Sequence, residues 1–166
     1  MRDVLKNLNC FVDGRGYAGT IEEFTPPKLT LKTEDFQAGG MAGAVELTMG
    51  HEKLESDFTL IAVDRVILGT FNVREGFNTQ FTCRGALESA DGTVTPVVVA
   101  MRGKVKELDC GTWKPGEKAP TKVTFALSYL KITHGATVAQ EIDVVNMVYV
   151  QNGVDLYAPI RAALGL

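Results

Sequence analysis

A mainly β fold is predicted for this chain: an antiparallel β-sandwich or barrel with a long protruding hairpin and one or two short helices. Three observations carry the prediction. Alternation of apolar and polar residues dominates the chain, glycine-containing turn signals punctuate it at short intervals, and only two segments have helical spacing.

The elements follow in order. Asp13-Gly14-Arg15-Gly16 separates Phe11-Val12 from a strand-like run, Tyr17 to Phe24, and predicts an early hairpin that Pro26-Pro27 then ends. Leu29, Leu31 and Thr33 alternate with Lys28, Thr30, Lys32 and Glu34; Val45, Leu47 and Met49 alternate with Glu46 and Thr48. Each flank reads as a half-buried strand of a second, longer hairpin. Its tip is small, flexible and apolar, too long for a two-residue turn and too greasy for a solvated loop. The apolar parity of the return strand changes between Met49 and Leu54, which places a bulge or corner near Gly50-His51. "AVDRVILGTFNV" is a short helix with Asp64 near its start and Val66, Ile67 and Phe71 spaced for one face.

Strands resume at Gln80 to Leu87, turn at Asp91-Gly92 and continue through "VTPVVVAMRGKVKELD". After the loop "CGTWKPGEKAP" comes "TKVTFALSYLKIT", where Val123, Phe125, Leu127 and Tyr129 share one face. The other face, Thr124, Ala126, Ser128, Leu130 and Ile132, is also more apolar than polar, so this strand is expected to be covered on both sides. His134-Gly135 turns the chain into "VAQEIDVVNMVYV", and "NGVDLYAPIRAALGL" ends in a short helix with Pro159 in its first turns and Gly165 at its stop. The count is roughly seven to nine strands by the usual spacing. No linker, repeat or low-complexity tract divides residues 1–166, which read as a single domain.

Composition narrows the function. A chain of 166 residues can bury roughly 70% of its unfolded surface, and is expected to need no metal or disulfide staple. Seventeen Lys and Arg stand against 20 Asp and Glu, a net charge of −3, with no basic run to neutralise successive phosphates. Cys10, Cys83 and Cys110 are odd in number and lack CxxC spacing, and the amino-terminal residues Met1-Arg2-Asp3-Val4-Leu5-Lys6 are charged where a signal peptide is apolar. Synthesis in a reducing cytoplasm, with each cysteine a small buried apolar residue, is the expectation. No apolar run approaches the ~20 residues of a membrane helix.

Catalytic parts do not assemble from the sequence. His51-Glu52 lacks the second histidine of a zinc-protease helix, His134 stands at a turn tip, and neither glycine-rich stretch has the context of a phosphate loop. No catalytic, cofactor-binding or metal-binding residue is assigned. What remains is surplus apolar surface: the hairpin tip, the two-sided strand and both chain ends. Such surface marks association, and in a symmetric ring it joins neighbouring subunits.

The strings "NLNCFVDGRGYAG", "PKLTLKTEDFQAGGMAG", "ELTMGHEKLE", "TPVVVAMRG", "GTWKPGEKA", "SYLKI", "EID" and "NGVDLYAPIRAALGL" resemble, in order and from about Leu5 to Leu166, the FII-type major tail tube proteins of contractile-tailed bacteriophages and R-type tailocins. The chain departs from that pattern at Pro26, Ala42-Gly43-Ala44 and Cys110. The resemblance implies a structural, non-enzymatic protein without cofactors, built into hexameric rings that stack as the inner tube of a contractile tail. Made in the bacterial cytoplasm, it would reside in the virion tail or tailocin particle. Expected partners are other copies of itself, the sheath, baseplate and tail terminator proteins, and a tape measure protein in the lumen; DNA would pass without specific binding, and no membrane is engaged. The hairpin arm would form subunit contacts through Phe36, Gln37, Gly39, Gly40, Met41, Ala42 and Gly43. Two alternatives are a type VI secretion ring-forming tube protein, with the same need for apolar hairpins, and a small-molecule-binding β-barrel.

Overall fold

The computed structural model describes residues 3–17, 19–76 and 78–166. Met1, Arg2, Ala18 and Phe77 lie outside the described residues, and with them the start of the charged amino terminus and one residue of the expected strand Tyr17 to Phe24. Among the described residues there are twelve strands and two short helices, more strands than the spacing predicts; two of them, β2 (Arg15–Gly16) and β12 (Val154–Asp155), are only two residues long.

β1 (Val4–Val12) turns into β2 at Asp13-Gly14, both with positive φ (49° and 84°), the backbone a two-residue hairpin requires. The expected strand from Tyr17 does not run on. Tyr17 is buried, its carbonyl accepts from the amides of both Thr20 and Ile21, and Gly19 is left-handed, so the chain turns. It resumes as β3 (Ile21–Thr25), which pairs with β6 (Leu54–Leu60) rather than with β1. Strong core burial of the tyrosine ring overrides the period-two pattern here. Pro26-Pro27 ends β3 as expected.

β4 (Leu31–Phe36) and β5 (Val45–His51) form the long hairpin as a separate two-stranded sheet. The predicted bulge is present: Lys32 pairs with Gly50 and Thr33 with Thr48, leaving Met49 extra, and Gly50 has φ 125°. β6 then alternates cleanly, with Leu54, Ser56, Phe58 and Leu60 buried. α1 (Arg65–Leu68) is capped by Asp64, whose carboxylate accepts from Val66 N at 2.7 Å, and buries Ile67. Phe71 departs from the expected face: it is 48% exposed and bridges to Val105 beyond the helix end.

β7 (Thr79–Glu88) and β8 (Val94–Asp109) join at a tight turn in which the Asp91 carboxylate accepts from Ser89 Oγ and from Thr93 N. The Ser89 bond, with help from Thr93, holds the Asp91 carboxyl down at about 2. β9 (Thr121–His134) pairs with β8 along its length, with β6 through Leu54–Leu60 on its first half and with β10 (Thr137–Asp143) on its second. β11 (Val148–Gln151), β12 and α2 (Ala158–Leu164) complete the chain, and Gly165 stops α2 in the left-handed conformation. Arg161 ties α2 to the sheet, donating to Met147 O at 2.9 Å and pairing with Asp155.

β9 is not covered on both sides. Thr121, Val123, Phe125 and Leu127 face the core, whereas further along it is Leu130 that does. The register shifts between Gly103↔Leu127 and Arg102↔Tyr129, so the inward parity changes there. Two one-sided half-strands of opposite parity imitate a two-sided strand when read straight through.

The sheet runs β12-β11-β10-β9-β8-β7-β1-β2, with β6 and β3 branching from β9. Phe58 on β6 and Phe81 on β7 are three strands apart in that order, yet their rings lie 5.8 Å apart, and Phe125 stacks on Phe81 at 4.1 Å. The sheet therefore wraps round one aromatic core. Cys10 on β1 and Cys83 on β7 are cross-strand partners joined by a disulfide, a difference from the expected unpaired cysteines; Cys110 is free. Across a separation of 73 residues such a link removes unfolded-state freedom, worth about 4 kcal/mol in the chain-entropy model.

Candidate assembly surface

The hairpin is the part of the chain that its own fold leaves bare. From Lys28 to Met49 every residue is exposed except Met41, which is half-buried. The pairing Phe36↔Val45 and Glu34↔Leu47 gathers Phe36, Val45 and Leu47 onto one face; Asp35↔Glu46 and Thr33↔Thr48 form the other. The result is an amphipathic ribbon whose more apolar face, which Glu34 shares, stays about half open: Phe36, Val45 and Leu47 are 49%, 47% and 47% exposed. The flanking strands are therefore left more open than core strands, and only their base, at Leu29, Leu31 and His51, meets Leu54, Ile142 and Tyr149 of the body. Alternation in sequence reports an apolar face; it does not report whose core covers it.

At the tip the structure places Gln37, Gly39, Gly40, Met41, Ala42 and Gly43 together beyond Phe36. Met41 N donates to Ala38 O at 3.2 Å, Met41 Sδ lies 3.2 Å from Ala38 N, and Gln37 Nε2 reaches Met41 O at 3.5 Å. The methionine folds back over a small turn made possible by Gly40 at φ 87°. Val45 and Leu47 belong with this set but were missed as site residues, because their alternation fits an ordinary core strand equally well. On the polar face Asp35 stands directly opposite Glu46, and like charges so placed weaken a two-stranded ribbon.

The base of the hairpin is separated from the end of the sheet and from α2 by an open cleft of about 500 Å³, lined among others by Met49, His51, Val144, Met147, Tyr157 and Ile160. Further apolar side chains lie exposed at both ends of the chain: Val4 and Leu5 on β1, Ile160 and Leu164 on α2, and Leu166. β9, expected to add to this surplus, does not.

Catalytic geometry is not built anywhere on this surface. His51 ends β5 with Nδ1 3.4 Å from Glu52 O, and His134 ends β9 beside the turn to β10. Among the described residues no three His, Cys, Asp or Glu side chains converge. The one strongly perturbed phenol is Tyr129: its hydroxyl donates to Glu141 Oε1 at 2.9 Å, and the Arg102 guanidinium lies 5.2 Å from its ring centre. Burial first, then the bond to Glu141, push the phenol up to about 12, so it stays protonated and serves as a structural donor. Lys104 with Glu75 (3.2 Å), Lys106 with Glu55 (2.6 Å) and Lys122 with Asp57 (3.8 Å) are exposed pairs, each contributing little to stability.

The family model described as phage tail tube protein FII matches residues 2–165. The tail tube protein of Escherichia phage P2 is 31% identical, covering 98% of this chain and 96% of that protein. The major tail tube protein of Serratia phage KSP20 is 34% identical, covering 98% and 95%. Among solved structures, a chain of the sheath–tube complex of an extracellular contractile injection system in its extended state superposes with TM-score 0.56 at 9% identity, over 76% of this chain and 87% of that one. A chain of the anti-feeding prophage baseplate gives TM-score 0.51 at 11% identity, over 76% and 90%. At such identities these two likenesses concern the fold alone. The full-length match and the close relatives establish more: this chain belongs to the phage tail tube protein FII family, whose members are structural proteins of the tail and not enzymes.

Proposed function

We propose that the chain is the repeating subunit of six-membered rings that stack into the inner tube of a contractile phage tail or tailocin, a conduit for DNA or ions. The observation that carries this reading is the amphipathic hairpin, whose apolar side chains Phe36, Val45 and Leu47 are left about half exposed by their own chain. The relatives are tail tube proteins, and the same fold occurs in a sheath–tube complex and in a baseplate. Other copies, a sheath protein and a baseplate and terminator are accordingly the partners, with a tape measure protein in the lumen. The tube wall needs no reactive site; it needs closure, repetition and an interior that does not hold a phosphate backbone, which a net charge of −3 favours.

The hairpin supplies the ring-to-ring or subunit-to-subunit contact. Ordering its tip costs ~1–2 kcal/mol per residue in backbone freedom. Apolar contact with a neighbour offsets this only on assembly. Residues 37–43 are thus expected to exchange amide hydrogen quickly in the monomer and slowly in the tube. Met41→Asp places a charge in the contact and is expected to raise the concentration needed for tubes at least ~10-fold, a loss of about 1.4 kcal/mol per contact. Its effect on the melting of the monomer should stay within ~0.5 kcal/mol. Native mass spectrometry and negative-stain microscopy across a concentration series read the outcome. Equal protection in both states, or normal tubes from Met41→Asp, removes the hairpin from the interface; a strict monomer at high concentration removes the ring.

A further inference from the structure

The cysteine pair has a surrounding that its role as a strand link does not explain. Cys10 and Cys83 are 2% and 4% exposed, and an apolar cavity of about 380 Å³ opens beside them. Its walls are Leu5 and Leu8 of β1, Phe24 and Pro26 at the end of β3, and Leu87 and Val97 of β7 and β8. Cys83 also lines it, whereas Cys10 does not. The cavity therefore gives a small molecule an approach to Cys83 that Cys10 lacks. Gly85, next along β7 on the same wall, has no side chain to fill the space, and a Cβ there would meet Leu5 Cδ1 at 2.8 Å.

β1 is also the strand that most needs fastening. Its inner edge pairs with β7 from Val4 to Val12, but β2 covers its outer edge only at Phe11 and Val12. Among the described residues no strand covers the outer edge from Val4 to Asn9. The disulfide lies just beyond that uncovered stretch, where the Cys10 carbonyl accepts from Tyr17 N at 2.9 Å.

We propose that Cys10 and Cys83 are a reversible redox site, reached through the cavity at Cys83, that is a dithiol while the chain is made and a disulfide in the finished particle. The oxidant is a small disulfide. The Cys83 thiol loses its proton, and its sulfur attacks one sulfur of that disulfide. The S–S bond of the oxidant breaks, one small thiol leaves, and a mixed disulfide remains on Cys83. Cys10, 4.1 Å away between Cα atoms, then loses its proton and attacks the Cys83 sulfur, releasing the second small thiol. Two protein thiols are oxidised, and one small disulfide is reduced to two thiols. Closure clamps the edge strand onto β7, and a reducing interior reopens it. The proposal rests on the tube reading only for where the clamp acts.

The test separates the two sulfurs. In a Cys110→Ser background, the variants Cys10→Ala and Cys83→Ala each keep one member of the pair, and both are treated under native conditions with oxidised glutathione. Intact-mass spectrometry is expected to find the glutathione adduct on Cys83 at least tenfold faster than on Cys10. Equal rates, or a faster Cys10, overturn the order of attack. Because an alanine variant can lose its fold, the unsubstituted chain is measured as well: it should carry one free thiol when taken from purified particles and three when taken from reducing lysate, by alkylation after denaturation in acid. Three alkylated cysteines in intact tubes overturn the redox site while leaving the tube in place. One alkylated cysteine in a chain that never forms tubes has the opposite consequence.

Discussion

Phe125→Ala is expected to remove about 3–5 kcal/mol of stability, the range for truncating a buried aromatic side chain. Phe125 is fully buried, stacks on Phe81 at 4.1 Å and meets Phe58 edge-on at 5.6 Å. These three rings come from β9, β7 and β6, so the truncation withdraws the side chain on which the wrapped sheet closes. Collapse of the site is opposed because its walls are hydrogen-bonded strands. Against a domain stability of ~5–15 kcal/mol such a loss is a substantial fraction of the total. Urea unfolding followed by tryptophan fluorescence and circular dichroism measures it; a loss under ~1 kcal/mol contradicts this account of the core. Phe125→Leu, which keeps most of the volume, should cost clearly less.

Gly103→Ala should be comparably damaging for the opposite reason. A Cβ at Gly103 would lie 2.0 Å from Ala126 O and 2.9 Å from both Ala126 C and Leu127 Cα. All three are backbone atoms of β9, which is held by β8 on one side and β6 on the other. A side-chain rotation cannot relieve the clash, so a central strand must move. Overpacking ordinarily costs ~1–3 kcal/mol, and a backbone clash belongs at or above the upper end. Gly43→Ala is the internal control: a Cβ there meets nothing within 4 Å, and the change should stay within ~0.5 kcal/mol. If both substitutions prove neutral, β8 and β9 are not as close as described.

Those two sites also show what sequence patterning can and cannot deliver. The hairpin, the bulge at Met49-Gly50, the Asp64 cap and the Gly165 stop were legible because each is a local matter, settled by a few neighbouring residues. The parity switch in β9 was not, since it is fixed by register with β8; the amino acids on either side of Ser128 fit one continuous strand just as well. Pairing of Cys10 with Cys83 likewise depends on how β1 meets β7, which spacing alone does not specify. Tyr17 failed for a third reason: a long-range packing demand outweighed a local preference. As for the site, the sequence marked the tip from Phe36 to Gly43, yet the apolar face that continues through Val45 and Leu47 became visible only when the two strands were put in register.

The double allegiance of β9 also governs when this chain can fold. β6 is made early and has β3 on one edge, but its second partner begins only at Thr121, and β8 too waits for that strand to cover its second edge. At about 5–20 residues per second, β6 leaves the ribosome some 3–12 s before β9 begins. Until then Phe58 and Phe81 have no Phe125 between them, and both β6 and β8 offer a bare edge. Native structure is thus withheld until β9 has emerged, and pairing across such distances is intrinsically slow. Under the proposed assembly, a nascent chain without β9 would be incompetent to join other copies on its own polysome. A fragment ending at Pro120 should accordingly melt without a cooperative transition by calorimetry; a sharp transition in that fragment would mean that the earlier strands close a core unaided.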